Sequence, residues 1–186
     1  MTRQLQRVLW NYDCAGRSAA LLYSVPMETT PLLVAIAWAV ILGGAGGLLT
    51  EIGAWYRDLN KPSWQPPDWL FGPAWTIILG LAGWAFYLSW TAADTQSDRL
   101  LIGALYAVNF VCHLLWSPLF FKFKRPDWAL FEVVFLWLSV LSLCVFLRQY
   151  SVAASWMIVP YLVWVSFASI LNWQIVKLNG PFKQEA

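Results

Sequence analysis

The chain has 186 residues, 60% of them hydrophobic and 12% charged, with a net charge of +2. Soluble domains carry roughly 25% charged residues, so this chain cannot easily cover a water-facing surface, and lipid is its expected solvent. A charge of +2 with no basic stripe excludes a nucleic-acid footprint, and Cys14, Cys112 and Cys144 lack metal-binding spacing.

Residues 1–27 carry Arg3, Arg7 and Arg17 against one acid, Asp13, with a mildly apolar stretch at Ser18–Val25. A tail without its own fold is the preferred reading. A targeting segment and translation from an upstream start, with Met27 the true one, are the alternatives.

A helix crosses a bilayer with about 20 apolar residues, and five segments qualify. The first runs near Pro31–Thr50 and has no charge. Ala35, Ala39, Gly43 and Gly47 recur every four residues along it, a small-residue face that lets helix backbones approach closely in lipid. Packing inside the bundle and contact with a second copy both fit that face.

The connection that follows contains "KPSWQPPDWLFGPAW", Lys61–Trp75, with Trp64, Trp69 and Trp75 among Pro62, Pro66, Pro67 and Pro73. Two readings stay open. Trp55, Tyr56, Trp64 and Trp69 suit an interfacial belt at headgroup level. The prolines hold a stiff, extended path, and a stiff loop bearing indoles also makes a lid.

The second span runs near Pro73–Thr91, with Pro73 suited to a first helical turn. The third, near Leu100–Phe121, places Asn109, His113 and Trp116 on one face, since offsets of four and seven coincide on a helix. Polar groups at membrane depth face the bundle interior. A lone membrane histidine is more often an interhelical hydrogen-bonding residue than a metal ligand; axial ligation of a metalloporphyrin is the alternative. The fourth span, near Trp128–Leu147, holds Glu132, expected to pair with Arg125 or to reach the interface. The fifth, near Val152–Val176, contains Pro160 and puts Trp164, Ala168 and Asn172 on one face. The predicted fold class is therefore all-α, an integral membrane bundle of five transmembrane helices. No segment alternates as barrel strands do, and an open sheet would leave backbone groups unpaired in lipid.

Arg and Lys in the loops set orientation. Arg57, Lys61, Lys122, Lys124, Arg125, Lys177 and Lys183 fall on one side; Arg99, Arg148 and the three N-terminal arginines fall on the other. The C-terminus and first loop are predicted to face the cytoplasm.

Trp38, Trp75, Trp84, Trp116, Trp137, Trp164 and Trp173 all lie within spans, more indoles than a belt needs. Rings converging between helices suit a planar, largely apolar ligand; taken singly, each also fits gap-filling or lipid contact. The aspartates lie in loops or the N-terminal tail, so no Ser–His–Asp set forms around the lone histidine.

The stretches "WYRDLNKPSWQPPDWLFGPAWT", "NFVCHLLWSPLFF", "WALFEVV" and "PYLVWVSFASILNWQIVKLN" closely resemble the TspO/MBR family of tryptophan-rich sensory and translocator proteins, over about Pro31–Asn179. The resemblance implies a five-helix membrane domain at 28–180, between the tail at 1–27, which matches nothing in the family pattern, and a short C-terminal tail at 181–186. It implies a membrane receptor or transporter for tetrapyrroles such as protoporphyrin IX and haem, acting in sensing, transport or stress regulation, and often dimeric. Sterol is a further implied ligand, and no resident cofactor or metal is required. The host is a bacterial envelope or an organelle membrane. The implied ligand-binding set is Trp38, Trp64, Trp75, Asn109, His113, Trp116, Trp164, Ala168 and Asn172, with Trp64 covering the pocket. Some relatives degrade protoporphyrin IX in light and oxygen; Trp75 and Trp164 match that reactive pair. A structural role, recruiting partners through Lys122–Arg125, is the third reading. Two departures stand out. Asn109 and His113 occupy positions where many relatives carry Gln and Asn. Trp173 replaces the Tyr of the weak sterol motif.

Overall fold

The computed structural model describes residues 28–182, so the readings placed on residues 1–27 and 183–186 lie outside it. Helix α1 spans Thr29–Leu49. A short helix α2, Ala54–Asp58, begins the first loop. A single 3-10 turn at Asp68–Leu70 leads into α3, Phe71–Ala92. Helix α4 covers Gln96–Ser117 and runs into a wide π-type turn at Pro118–Lys122. Helices α5, Pro126–Phe146, and α6, Val152–Asn179, complete the chain. The described residues contain no strand, and five helices are long and apolar enough to cross a membrane.

Element ends follow local chemistry that hydropathy alone does not register. Helix α4 starts four residues before the predicted Leu100, because Thr95 and Asp98 form a reciprocal capping box: the Asp98 N–H donates to Thr95 Oγ1 (3.1 Å) and the Thr95 N–H to Asp98 Oδ2 (3.2 Å). The Tyr150 hydroxyl donates to the other Asp98 oxygen at 3.0 Å, tying the α5–α6 loop to the start of α4. At the far end, Pro118 has no N–H to continue the helix, and the wide turn swings Phe120 and Phe121 into the interior. Ser151 caps α6 by accepting from the Ala154 N–H at 3.2 Å. Pro160 lies inside α6 but on its exposed side, and the helix continues past it to Asn179.

The main core joins α3, α4, α5 and α6 through Ala82, Phe86, Tyr106, Val133, Leu136, Ile158 and Tyr161, with Ala35 contributed by α1. A second cluster of Tyr56, Phe120, Phe121, Ala129, Leu171 and Ile175 gathers where the first loop meets the ends of α4 and α6 and the start of α5. The outside is apolar as well: Leu48, Phe131, Trp156 and Val163 are each more than half exposed. Apolar exposure on this scale fits a lipid environment and not water.

The small-residue face of α1 is divided between two roles. A Cβ on Gly83 of α3 would come within 3.1 Å of the Ala35 carbonyl oxygen and 3.7 Å of the Ala39 Cβ, so this part of the face is an internal packing seam. Farther along, Gly43 and Gly47 border a cavity. Gly83→Val is expected to force α1 off α3 at a cost of about 1–3 kcal/mol, read as a lower thermal midpoint in detergent. An unchanged midpoint would show that the close approach contributes nothing to stability.

The first loop is braced, not slack. The Asn60 N–H donates to Asn179 Oδ1 and Asn179 Nδ2 donates to the Asn60 carbonyl, both at 2.8 Å. Gln65 Nε2 donates to the Tyr56 hydroxyl oxygen at 3.1 Å, and the Lys61 ammonium lies 4.0 Å from the Tyr56 ring centre. Burial, with the Asp68 carboxylate alongside, pushes the Tyr56 phenol up to about 12. It therefore stays neutral across physiological pH.

Candidate functional site

A cavity of about 470 Å³ lies between the helices and extends to the first-loop end, where Thr50, Ile52, Tyr56 and Asp68 border it. This is the volume of a typical small-molecule site. Each long helix supplies wall. From α1 come Leu42, Gly43, Gly46 and Gly47; from α3, Phe71, Trp75 and Thr76; from α4, His113 and Trp116; from α5, Val133 and Leu136; from α6, Trp164, Ala168 and Asn172. The glycines of α1 leave space open where larger side chains would fill it.

Trp75 stands at the centre of the aromatic wall. Its ring lies edge-to-face with His113 at 4.8 Å, Tyr161 at 5.9 Å and Trp164 at 6.2 Å between centroids, arrangements that the ring quadrupoles favour. Trp164 in turn meets Phe71 at 5.6 Å and Phe167 at 5.7 Å. Trp116 stacks on Phe120 at 5.1 Å, so the wide turn after α4 fixes the plane of a cavity indole. The indole N–H groups of Trp116 and Trp164 find no acceptor among the described residues.

Behind this wall runs a hydrogen-bond chain across three helices. His113 Nδ1 lies 2.7 Å from the Tyr161 hydroxyl oxygen, and that hydroxyl donates to Asn109 Oδ1 at 3.3 Å. Asn109 Nδ2 donates to Ser139 Oγ at 2.9 Å, and Ser139 donates to the Leu136 carbonyl at 2.7 Å. The chain reconciles the cost of polar groups at membrane depth with a histidine on a cavity wall.

Of the nine residues expected to contact a ligand, Trp75, His113, Trp116, Trp164, Ala168 and Asn172 border the cavity, whereas Trp38, Trp64 and Asn109 do not. Trp38 lies too near the start of α1, since the α1 wall begins at Leu42; it packs edge-on against Tyr106 at 5.3 Å. Trp64 leans on Phe167 at 5.7 Å, which places it one ring behind Trp164 and leaves it about half exposed. Asn109 is fully buried, with its amide committed to Tyr161 and Ser139. Asn172 borders the cavity with a committed amide: turned so that Nδ2 donates to the Pro126 carbonyl and Oδ1 accepts from the Leu130 N–H, both contacts are 3.1 Å, and α6 is pinned to the start of α5.

The expectation for Glu132 is corrected. Arg125 pairs with Asp127, its Nε donating at 2.8 Å, and lies 4.3 Å from the Trp128 ring. Glu132 is buried, and neither of its oxygens makes a hydrogen bond among the described residues. A partner two residues away captures the arginine, while the turn of α5 carries Glu132 inward. Tyr161 is the site residue the sequence reading missed. It lies three residues before Trp164 and seven before Ala168, so the face already singled out on α6 extends through it.

Five apolar helices around an aromatic-walled hollow define an integral, multi-pass membrane bundle with an internal cavity. The model of the TspO/MBR family matches residues 33–178. The chain is 37% identical over 151 residues to the tryptophan-rich protein TspO of Chlorobaculum tepidum, covering 80% of this chain and 95% of that protein. It is 37% identical over 142 residues to protein CrtK of Rhodobacter capsulatus, covering 76% and 88% respectively. Against the translocator protein of Sus scrofa it is 31% identical over 155 residues, covering 80% and 92%. The chain belongs to the TspO/MBR family.

Proposed function

We propose that the protein is a membrane receptor or transporter for tetrapyrroles, with protoporphyrin IX or haem as ligand, acting in tetrapyrrole sensing, transport or stress regulation. The observation that carries this reading is the convergence of Trp75, Trp116 and Trp164, from three different helices, on one cavity of about 470 Å³. Flat faces of a macrocycle and flat faces of indoles are complementary, and an acceptor on the guest would satisfy the Trp116 and Trp164 N–H groups. The ligand set proposed is Trp75, His113, Trp116, Trp164, Ala168 and Asn172, with Trp38, Trp64 and Asn109 supporting it from behind. The C-terminus and first loop face the cytoplasm in this proposal. A homodimer belongs to it too, with the outward apolar side of α4 at Val108, Val111 and Leu115 open to a second copy. Sterol is a secondary ligand class; Lys177 lies 5.4 Å from the outward ring of Trp173, an aromatic–basic pair on α6 at the site of the altered motif.

The test is titration of the detergent-solubilised chain with protoporphyrin IX while tryptophan emission is followed. Saturable quenching is expected in the native chain, with affinity about tenfold weaker in a Trp75→Phe/Trp164→Phe double variant, since each aromatic contact contributes about 0.5–1.5 kcal/mol. Absence of quenching in the native chain removes the reading.

The 6.2 Å edge contact between Trp75 and Trp164 favours a second reading, light- and oxygen-dependent degradation of the porphyrin. There the excited macrocycle oxidises an indole, and molecular oxygen traps the radical. Bleaching under light and air that disappears in the same double variant supports it; stable absorbance, or equal bleaching in both chains, overturns it.

A further inference from the structure

The hydrogen-bond chain behind the cavity determines which nitrogen His113 offers to a guest. A phenol has one proton, and Tyr161 gives its own to Asn109 Oδ1. Asn109 Oδ1 is fixed as an acceptor because Nδ2 of the same amide is spent on Ser139 Oγ. Ser139 in turn gives its proton to the Leu136 carbonyl, which can only accept. With the Asn109 amide turned so that Nδ2 meets Ser139, donation runs from His113 through Tyr161 to Asn109, and from Asn109 through Ser139 to the backbone. In this orientation of the Asn109 amide, His113 Nδ1, 2.7 Å from the Tyr161 oxygen, is the donor of the pair and the protonated nitrogen. Nε2 then keeps its lone pair, makes no hydrogen bond among the described residues, and belongs to a side chain that borders the cavity. The edge contact with Trp75 at 4.8 Å holds the plane of the ring. An imidazole whose far nitrogen donates to a fixed partner is the arrangement by which proteins orient a histidine toward a metal and raise its basicity.

No group of three or more His, Cys, Asp or Glu able to hold a metal ion exists among the described residues. A metal at Nε2 must therefore bring its own equatorial donors, as the centre of a planar macrocycle does, and the protein supplies one axial position. His113 is the single histidine of the chain, and no Cys or Met among the described residues borders the cavity. The opposite axial position stays without a ligand of those types.

We propose that the cavity selects the metallated form of its macrocycle, with His113 Nε2 as the sole axial histidine ligand and Tyr161 as the positioning residue that holds its tautomer. The proposal rests on the tetrapyrrole reading above and narrows it. Nε2 donates its lone pair to the metal and displaces a weakly held neutral ligand such as water; no electron or proton is transferred.

The experiment titrates the full chain in detergent with zinc protoporphyrin IX, ferric protoporphyrin IX and metal-free protoporphyrin IX. In the native chain, zinc protoporphyrin IX is expected to bind about tenfold or more tighter than the metal-free form, and the ferric form to give the absorption and resonance signature of a five-coordinate, histidine-ligated iron. His113→Ala and His113→Asn each collapse the zinc-to-metal-free affinity ratio to about one, whatever they do to either affinity alone, and abolish the ferric signature. Added imidazole restores that signature in His113→Ala. Tyr161→Phe keeps ligation but narrows the ratio, because the ring is no longer held by its far nitrogen. Two forms binding equally well to the native chain, or a signature that survives both His113 variants, overturns the proposal and leaves the tetrapyrrole reading intact. Failure of all three porphyrins to quench tryptophan emission overturns both.

Discussion

Ala168→Trp is expected to abolish macrocycle binding while leaving the bundle folded. Ala168 borders the cavity one helical turn from Trp164 on α6, on the side where Asn172 continues the wall. An indole added there projects its large ring into the space the guest must occupy. The cavity already exists, so the new side chain fills volume and does not overpack a solid core, where insertion costs about 1–3 kcal/mol. Loss of affinity by about 100-fold or more follows if the guest sits in the hollow, because a clash with a rigid flat ligand cannot be relieved by a side-chain rotation. Quenching titrations on native and variant chains measure the loss; a thermal midpoint within a few degrees of native shows that the fold is kept. If Ala168→Trp binds as tightly as the native chain, the ligand lies elsewhere, and the cavity reading fails whatever the family relationship.

The hydrophobic pattern made the spans legible, since lipid imposes a length and a composition on every crossing helix. Their ends were not, because ends are decided by polar detail: the Thr95–Asp98 capping box extends α4 into a charged turn, and Pro118 converts its end into a wide turn. Helical spacing placed Asn109, His113 and Trp116 on one stripe, and they share one. Spacing does not say how far a cavity runs along the stripe. Four residues are about 6 Å of helix, enough to put His113 on the wall and Asn109 in solid packing behind it. Trp38 is displaced from the site for the same reason, one turn before the α1 wall begins.

Trp64 shows a different limit. Its proline-rich surroundings read as belt or as lid, and the outcome depended on contacts far apart in sequence: the Asn60–Asn179 clamp and the ring of Phe167. Glu132 shows a third. An acid seven residues from an arginine is an attractive partner on paper, yet Asp127 is nearer and Glu132 turns inward. In each case the residue type was informative, and the deciding quantity was a rotation or a depth that one-dimensional spacing does not carry.

The deepest of these omissions, Tyr161, carries the second large effect. It is fully buried in the middle of α6, its ring contacts Trp75 and His113, and its hydroxyl joins His113 to Asn109. Tyr161→Phe preserves the ring and removes only the hydroxyl. It leaves Asn109 Oδ1 and His113 Nδ1 without their partner, which amounts to about 1–3 kcal/mol by the soluble-protein rule. Membrane hydrogen bonds average nearer 0.6 kcal/mol, so a loss at the low end, about 1 kcal/mol, is expected. Tyr161→Ala removes the ring as well and opens a void beneath Trp75; a large-to-small change of that kind costs about 3–5 kcal/mol. The two variants thus separate the polar chain from the packing. Thermal or chemical unfolding in detergent is expected to rank native above Tyr161→Phe above Tyr161→Ala, with most of the loss in the second step. Equal losses in the two variants would mean that the hydroxyl, and with it the chain to Ser139, holds this part of the bundle together and that the ring is dispensable.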